Sequence, residues 1–272
     1  MKIFHLHLVS DSTGETVSTA ARASLVHFDN IQTKEHVWRM ICDMNQMKEV
    51  IAGIKANRGF VLYTIVNDEF REALEEGCRK LKVPCVPLLD TVVTAMGNFF
   101  NVEAHAQPGR QHIMDAEYFN RIEAIHYVLN HDDGQSISDL NKADVIVAGV
   151  SRTSKTPTCI YLANRGVKAA NIPIVPGCPL PPELSKATFP LIVGLTCDAK
   201  KLIQIRKHRL RMVKQNEKTD YVDIETVSEE IDHACRFFEK YNWPVIDVTR
   251  ISIEEIAATI LQMYNHRLKK LC

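Results

Sequence analysis

DVIVAGVSRTSKTPT, residues 144–158, decides how the second half of this chain is read. The apolar run from Asp144 to Gly149 has the make-up of a buried parallel strand, and residues 156–165 read as a helix. Between them Gly149, Val150, Ser151, Arg152, Thr153, Ser154, Lys155 and Thr156 follow the phosphate-loop spacing Gly-x-x-x-x-Gly-Lys-[Ser/Thr], with Ser154 standing where the second glycine is usual. Successive backbone N–H groups at a helix N-terminus make a concave donor site for phosphate oxygens. On this spacing Lys155 reaches the outermost phosphate, Thr156 lies near a bound Mg²⁺, and Pro157 is tolerated in the first helical turn. Serine lacks glycine's free access to positive φ, so the loop either takes another shape or carries strain. The alternative is a Ser/Thr-rich strand-to-helix turn that holds no ligand.

The same alternation extends both ways. Residues 170–175, 190–195 and 243–248 read as strands and 198–213, 225–240 and 252–269 as helices, with a proline-rich turn at 176–182. Upstream, 2–9, 35–41, 60–66 and 83–87 read as strands, and 45–56, 68–81 and 116–130 as helices. A further helix follows the first strand, with Ala20, Ala21, Leu25 and Val26 on one face. Strand alternating with helix implies parallel sheets covered on both faces. The expected class is therefore α/β: two α/β halves, residues 1–140 and 141–272, the C-terminal one P-loop kinase-like. From Asn98 to Asp115 the pattern fades and a connection or flexible loop is expected.

Composition narrows the functional classes. The 272 residues are 46% hydrophobic and 24% charged, ordinary for a globular chain with a real core. Lys plus Arg and Asp plus Glu number 33 each, so neither nucleic acid nor a membrane surface is expected as partner. No run approaches the ~20 apolar residues of a membrane helix, and MKIFHLHLVSDST lacks a signal peptide's apolar core and cleavage site. Eight cysteines are scattered without a Cys-x-x-Cys pair and read as reduced thiols, which places the expected compartment in the cytoplasm. His5 and His7 share a strand face, but no further cluster completes a metal site.

Three other stretches carry candidate chemistry. Ser10, Asp11, Ser12 and Thr13, followed by Gly14, leave a strand and open a helix, so they can hold a phosphate or a phosphorylated peptide, or simply cap the helix. Asp132 and Asp133, beside Gly134, form a carboxylate pair suited to a general base or to Mg²⁺, or else a plain acidic turn. The basic helix from Lys200 to Lys214 has an apolar stripe of Leu202, Ile205, Leu210 and Val213, with Arg206 and Arg209 sharing another face. Arginines so placed can clamp phosphates, or decorate a solvated face.

HLVSDSTGET (7–16), VLYTIV (61–66), RIEAIHYVLNHDDG (121–134), VIVAGVSRTSKTPT (145–158), KAANIPIVP (168–176), VGLTCD (193–198), IRKHRL (205–210) and NWPVIDVTRISIEEIA (242–257) together resemble the pyruvate, phosphate/water dikinase regulatory proteins, almost end to end. The run from Gly149 to Thr156, with Thr153-Ser154 rather than Cys-Gly, is similar to the pyruvate, phosphate dikinase branch. The resemblance implies a bifunctional Ser/Thr kinase and phosphorylase. It would inactivate pyruvate, phosphate dikinase by phosphorylating an active-site threonine with ADP as donor, and reverse this with inorganic phosphate, releasing pyrophosphate. On that reading Lys155 grips the moving group, Asp132 or Asp133 is the base, Mg²⁺ accompanies the nucleotide, and Arg152, Arg206 and Arg209 form a cationic pocket. A homodimer is left open. The rival readings are action on pyruvate, water dikinase, an ATP-dependent small-molecule kinase, and a nucleotide-binding switch without catalysis.

Overall fold

The computed structural model describes residues 3–104, 116–213 and 219–271. The chain divides into two compact units, Met1–Ile113 and Met114–Cys272.

The first unit runs β1 (Ile3–Ser10), α1 (Glu15–Leu25), β2 (Gln32–Trp38), α2 (Met44–Ala56), β3 (Gly59–Thr64), α3 (Asp68–Leu81), β4 (Cys85–Pro87) and α4 (Asp90–Phe100). Its four strands form one parallel sheet in the order β2-β1-β3-β4. Alternation along β1 and β3 serves both faces. Val9, Val61 and Tyr63 pack with Met47, Val50 and Leu74 of α2 and α3, whereas Leu6, Leu8 and Leu62 meet Val17 and Ala21 of α1. Helix starts are capped locally: Asp43 accepts from the Asn45 and Gln46 amides, and Asn67 from that of Phe70. His7 is fully buried with both ring nitrogens engaged, Nε2 on the Asn57 carbonyl and Nδ1 on the Trp38 indole N–H, while His5 meets His36. These imidazoles are core and edge groups.

Residues 98–100, expected within a fading loop, continue α4, and the rest of that expectation, 105–115, lies outside the described residues. No residue of α4 is buried; Val92, Val93, Met96 and Phe100 are exposed, and Phe99 is 84% exposed.

The second unit contains α5 (Ala116–Asn130), tight 3₁₀ turns at Asp132–Gly134 and Ile137–Lys142, β5 (Val145–Gly149), α6 (Lys155–Ala163), β6 (Ala169–Pro173) and α7 (Pro182–Lys186). It continues with β7 (Leu191–Thr196), α8 (Ala199–Met212), a 3₁₀ turn at Asp220–Val222, α9 (Ile224–Lys240), β8 (Val245–Asp247) and α10 (Ile253–Leu271). Again the sheet is parallel and four-stranded, ordered β6-β5-β7-β8. Val145 and Val147 pack toward α5, α6 and α10, with Ala124, Leu162 and Ile260; Ile146 and Ala148 face the other side, where Leu184, Leu202 and Phe238 lie. Gly194 is required here, because a Cβ on it would sit 2.7 Å from the Phe238 ring.

The stripe expected on α8 is corrected by the structure. The buried residues are Leu202, Arg206 and Leu210, while Ile205 and Val213 are exposed. Spacing of four places Arg206 between two leucines on the inner face, and its charge is met there rather than in water. Lys214 lies outside the described residues.

Candidate functional site

The loop from Gly149 to Thr156 leaves the carboxyl end of β5, the second strand across the sheet, and enters α6. Gly149 permits a close approach: a Cβ there would lie 2.6 Å from the Leu195 carbonyl oxygen on β7 and 3.0 Å from Thr153 Oγ1. The Val150 carbonyl is the internal anchor, accepting from Thr153 Oγ1 and from Lys155 Nζ, each at 2.9 Å. Ser151 and Arg152 stand exposed, and Thr153 is buried. Arg152 and Ser154 take left-handed backbone, φ 73° and 62°, so the serine adopts the conformation that a glycine would accept freely.

Lys155 is 5% exposed. Burial pushes its ammonium down to about 8, opposed by the charges of Asp133 and Asp132, and Arg152 adds to the lowering. The proton is thus held less tightly than on an ordinary lysine, a shift that burial beside specific charges produces and that clusters at functional sites.

Asp132 and Asp133 come to this lysine through β6. His131 ends α5, 4% exposed, stacked on Tyr127 with ring centroids 3.7 Å apart, its Nδ1 on the Tyr127 carbonyl and its Nε2 2.7 Å from Asp139 Oδ1. That contact with His131 holds the Asp139 carboxyl below its ordinary range. The His131 carbonyl accepts from the Asn171 amide on β6, and left-handed backbone at Asp133, Gly134 and Ser136 turns the chain tightly back. Asp132 Oδ1 then accepts from Thr156 Oγ1 at 2.8 Å and from Asn171 Nδ2 at 2.6 Å; the same Nδ2 is 3.2 Å from Asp133 Oδ1 and 2.9 Å from Thr156 Oγ1. Asn171 is 1% exposed and its Oδ1 has no protein partner. Asp132, Asp133 and Thr156 are therefore gathered at the start of α6, and Lys155 lies within reach of both carboxylate charges while its Nζ bonds the Val150 carbonyl. Asn171 organises them and was not anticipated, although one amide inside the buried run AANIP was the available signal.

Arg206 and Arg209 part company. Arg206 is fully buried: its guanidinium donates to the Tyr221 carbonyl at 3.0 Å, the Ser151 carbonyl at 3.2 Å and Glu230 Oε2 at 2.6 Å, and lies 4.4 Å over the Tyr221 ring. It braces the loop from behind. Arg209 is exposed. The Tyr221 hydroxyl, also unanticipated, sits 3.3 Å from both Ser151 Oγ and Arg152 Nε.

In the first unit, Ser10, Asp11, Ser12 and Thr13 leave the carboxyl end of β1. Ser10 and Asp11 are buried; Asp11 Oδ2 accepts from the Val66 and Asn67 amides, and Ser10 Oγ accepts from Ser12 N and Thr64 Oγ1. Gly14, at φ 74°, precedes α1, and no side chain caps that helix. Asp11 thus ties β1 to the loop after β3.

Among the described residues no group of three or more His, Cys, Asp or Glu is placed to hold a metal ion, and no helix is long and apolar enough to cross a membrane.

A family profile described as kinase/pyrophosphorylase matches residues 6–261. A protein of Paramagnetospirillum magneticum is 54% identical over 270 residues, covering 99% of this chain and 87% of that relative. One from Caulobacter vibrioides is 51% identical, covering 96% and 82%, and one from Rhodospirillum rubrum is 48% identical, covering 96% and 95%. All three carry the name "Putative pyruvate, phosphate dikinase regulatory protein".

Proposed function

The chain belongs to the kinase/pyrophosphorylase family, and from that premise we propose that it moves a phosphoryl group on and off a threonine of pyruvate, phosphate dikinase. ADP is the donor in one direction, and AMP leaves. In the other direction inorganic phosphate takes the group, and pyrophosphate leaves. The observation that carries this reading is the hydrogen-bonded group of Asp132, Asp133, Thr156 and Asn171 beside buried Lys155, whose ammonium feels both carboxylate charges, where β5 gives way to α6.

With ADP the terminal group is the β-phosphoryl, so the loop amides and Lys155 grip the group that moves. Transfer of this kind depends on positioning and charge neutralisation more than on covalent catalysis. Asp132 is engaged by Thr156 and Asn171, whereas Asp133 is exposed and shares only the Asn171 amide, so Asp133 is the base. Its carboxylate takes the threonine hydroxyl proton as that oxygen bonds to the β-phosphorus; the bond to the bridging oxygen breaks and AMP departs with the electron pair. Asp132 and Thr156 offer oxygen ligands alone, which fits Mg²⁺ held mainly through nucleotide phosphates. Bound there, the ion would offset phosphate charge. In phosphorolysis the attacker is already an anion, so no base is needed to make the nucleophile, and exposed Arg152 with Lys155 offsets its charge.

The test is incubation with purified pyruvate, phosphate dikinase and ADP, then mapping of new phosphothreonine, with pyruvate, water dikinase as the alternative acceptor. Transfer by the native protein and its loss in Lys155→Ala are expected. Asp133→Asn is expected to slow ADP-dependent transfer by roughly 10²- to 10⁴-fold and phosphorolysis by less. Undiminished transfer in Lys155→Ala, or none from ADP in the native protein, would overturn the reading.

A further inference from the structure

The second unit holds a cavity of about 640 Å³ that none of these steps uses. It opens at the carboxyl ends of β7 and β8, and its lining includes Asp198, Lys201, Gln204, Asp247, Thr249 and Arg250. The sheet is parallel throughout, so this edge also carries the loop Gly149–Thr156. Gly149 pairs with Leu195 on β7, and Thr196 pairs with Asp247 on β8. At about 4.8 Å between strands, the cavity is set one to two strand spacings to the side of the loop. One helix joins the two features: Gln204 of α8 lines the cavity, and Arg206 of α8 donates to the Ser151 carbonyl.

The walls are held internally. Thr249 Oγ1 accepts from the Asp198 amide at 2.9 Å and donates to Asp247, stitching the two strand-end loops together. Asp198 Oδ1 caps α8 on the Lys201 amide, and Asp247 Oδ1 accepts from the Thr249 amide, both at 2.9 Å. Each carboxylate therefore fixes its own loop with one oxygen and leaves Oδ2 without a partner among the described residues. Lys200, Lys201 and Arg250 form no ion pair among them either.

Carboxylates fixed at strand ends accept hydrogen bonds from ribose hydroxyls. Gln204 offers an amide to the edge of a base, and the planar Arg250 guanidinium can lie against its face. The volume falls inside the roughly 300–1,000 Å³ typical of small-ligand sites. We propose that this cavity seats the ribose and base of a nucleoside diphosphate whose phosphates lie on the loop Gly149–Thr156. The proposal rests on the loop being the phosphate site. It follows that phosphate and pyrophosphate, which carry no nucleoside, use the loop alone, and that only the nucleotide-dependent direction draws on the cavity.

Calorimetric titration of the full chain with ADP, 2′,3′-dideoxy-ADP and pyrophosphate tests this, using the native protein and the variant Asp198→Asn/Asp247→Asn. Both asparagines keep the oxygen that fixes each loop. Native protein is expected to bind the dideoxy nucleotide roughly tenfold or more weakly than ADP, from lost charge-assisted hydrogen bonds. In the double variant that ratio should fall toward one while pyrophosphate affinity stays within about twofold, which also reports an intact fold. Equal binding of the two nucleotides by the native protein, or an unchanged ratio in the variant, overturns the proposal. Failure of the loop reading looks different: Lys155→Ala would leave both ADP and pyrophosphate affinity intact.

Discussion

Lys155 makes the site's charge depend on pH. Burial brings its ammonium down to about 8, so it is charged below that value and increasingly neutral above. Pyrophosphate affinity is expected to fall as pH rises through about 8, measured by titration, and the inflection should vanish in Lys155→Arg, whose charge persists. The sign for folding is opposite. The folded value lies below the ordinary 10.5, so between the two the unfolded chain binds the extra proton and stability rises with pH. Ser154, at φ 62°, gives a second expectation. Ser154→Gly should stabilise by about 1 kcal/mol or less, since relief of left-handed strain is partly cancelled by glycine's greater chain entropy; denaturant midpoints check it. Lys155 and Thr156 were legible because the phosphate-loop spacing is local. Asp132 and Asp133 could be flagged but not placed, for their meeting with Thr156 spans 24 residues and depends on the amide of Asn171.

At the level of the element, α8 shows how a charge misleads. Sequence spacing alone put Ile205 and Val213 inward and Arg206 outward, on the ordinary cost of burying a cation. That cost is met by Glu230 and two backbone carbonyls, none of them visible from the helix itself. Arg206→Met should cost about 3–5 kcal/mol in urea unfolding, because Glu230 is left uncompensated. Adding Glu230→Gln should recover part of the loss, and a single variant of native stability would show that the pair carries nothing. The start of the last helix shows the opposite case: Ser252 and Glu255, three apart in sequence, form a reciprocal cap, each side chain accepting from the other's amide. Where the cue is local, element ends are readable; where a partner lies in another element, they are not.

Across the whole molecule, the α/β alternation was legible because strands buried on both faces read as continuous apolar runs, as FVLYTIV and DVIVAG do. The strand order was not. Both sheets place the first strand of the unit second across, β2-β1-β3-β4 and β6-β5-β7-β8, so each unit presents a loop beside the point where the order reverses. The two loops share no sequence pattern strong enough to mark this as a repeat, and only the second has a buried lysine. Helix α5 belongs by its packing with the second unit, through Ala124, Tyr127 and Val128, although its own periodicity says nothing about which sheet it covers.

Helix α4 has a consequence for the protein in the test tube. Its valines, Met96 and paired phenylalanines lie open to water, and the chain carries no net charge to keep copies apart, with an isoelectric point near 7.2. Coulombic repulsion between molecules is thus weakest at neutrality, where bare apolar surface is most free to stick. Light scattering against concentration should show the most attractive second virial coefficient near that pH. The attraction should weaken on moving away to either side, and Phe99→Lys should lessen it at neutrality.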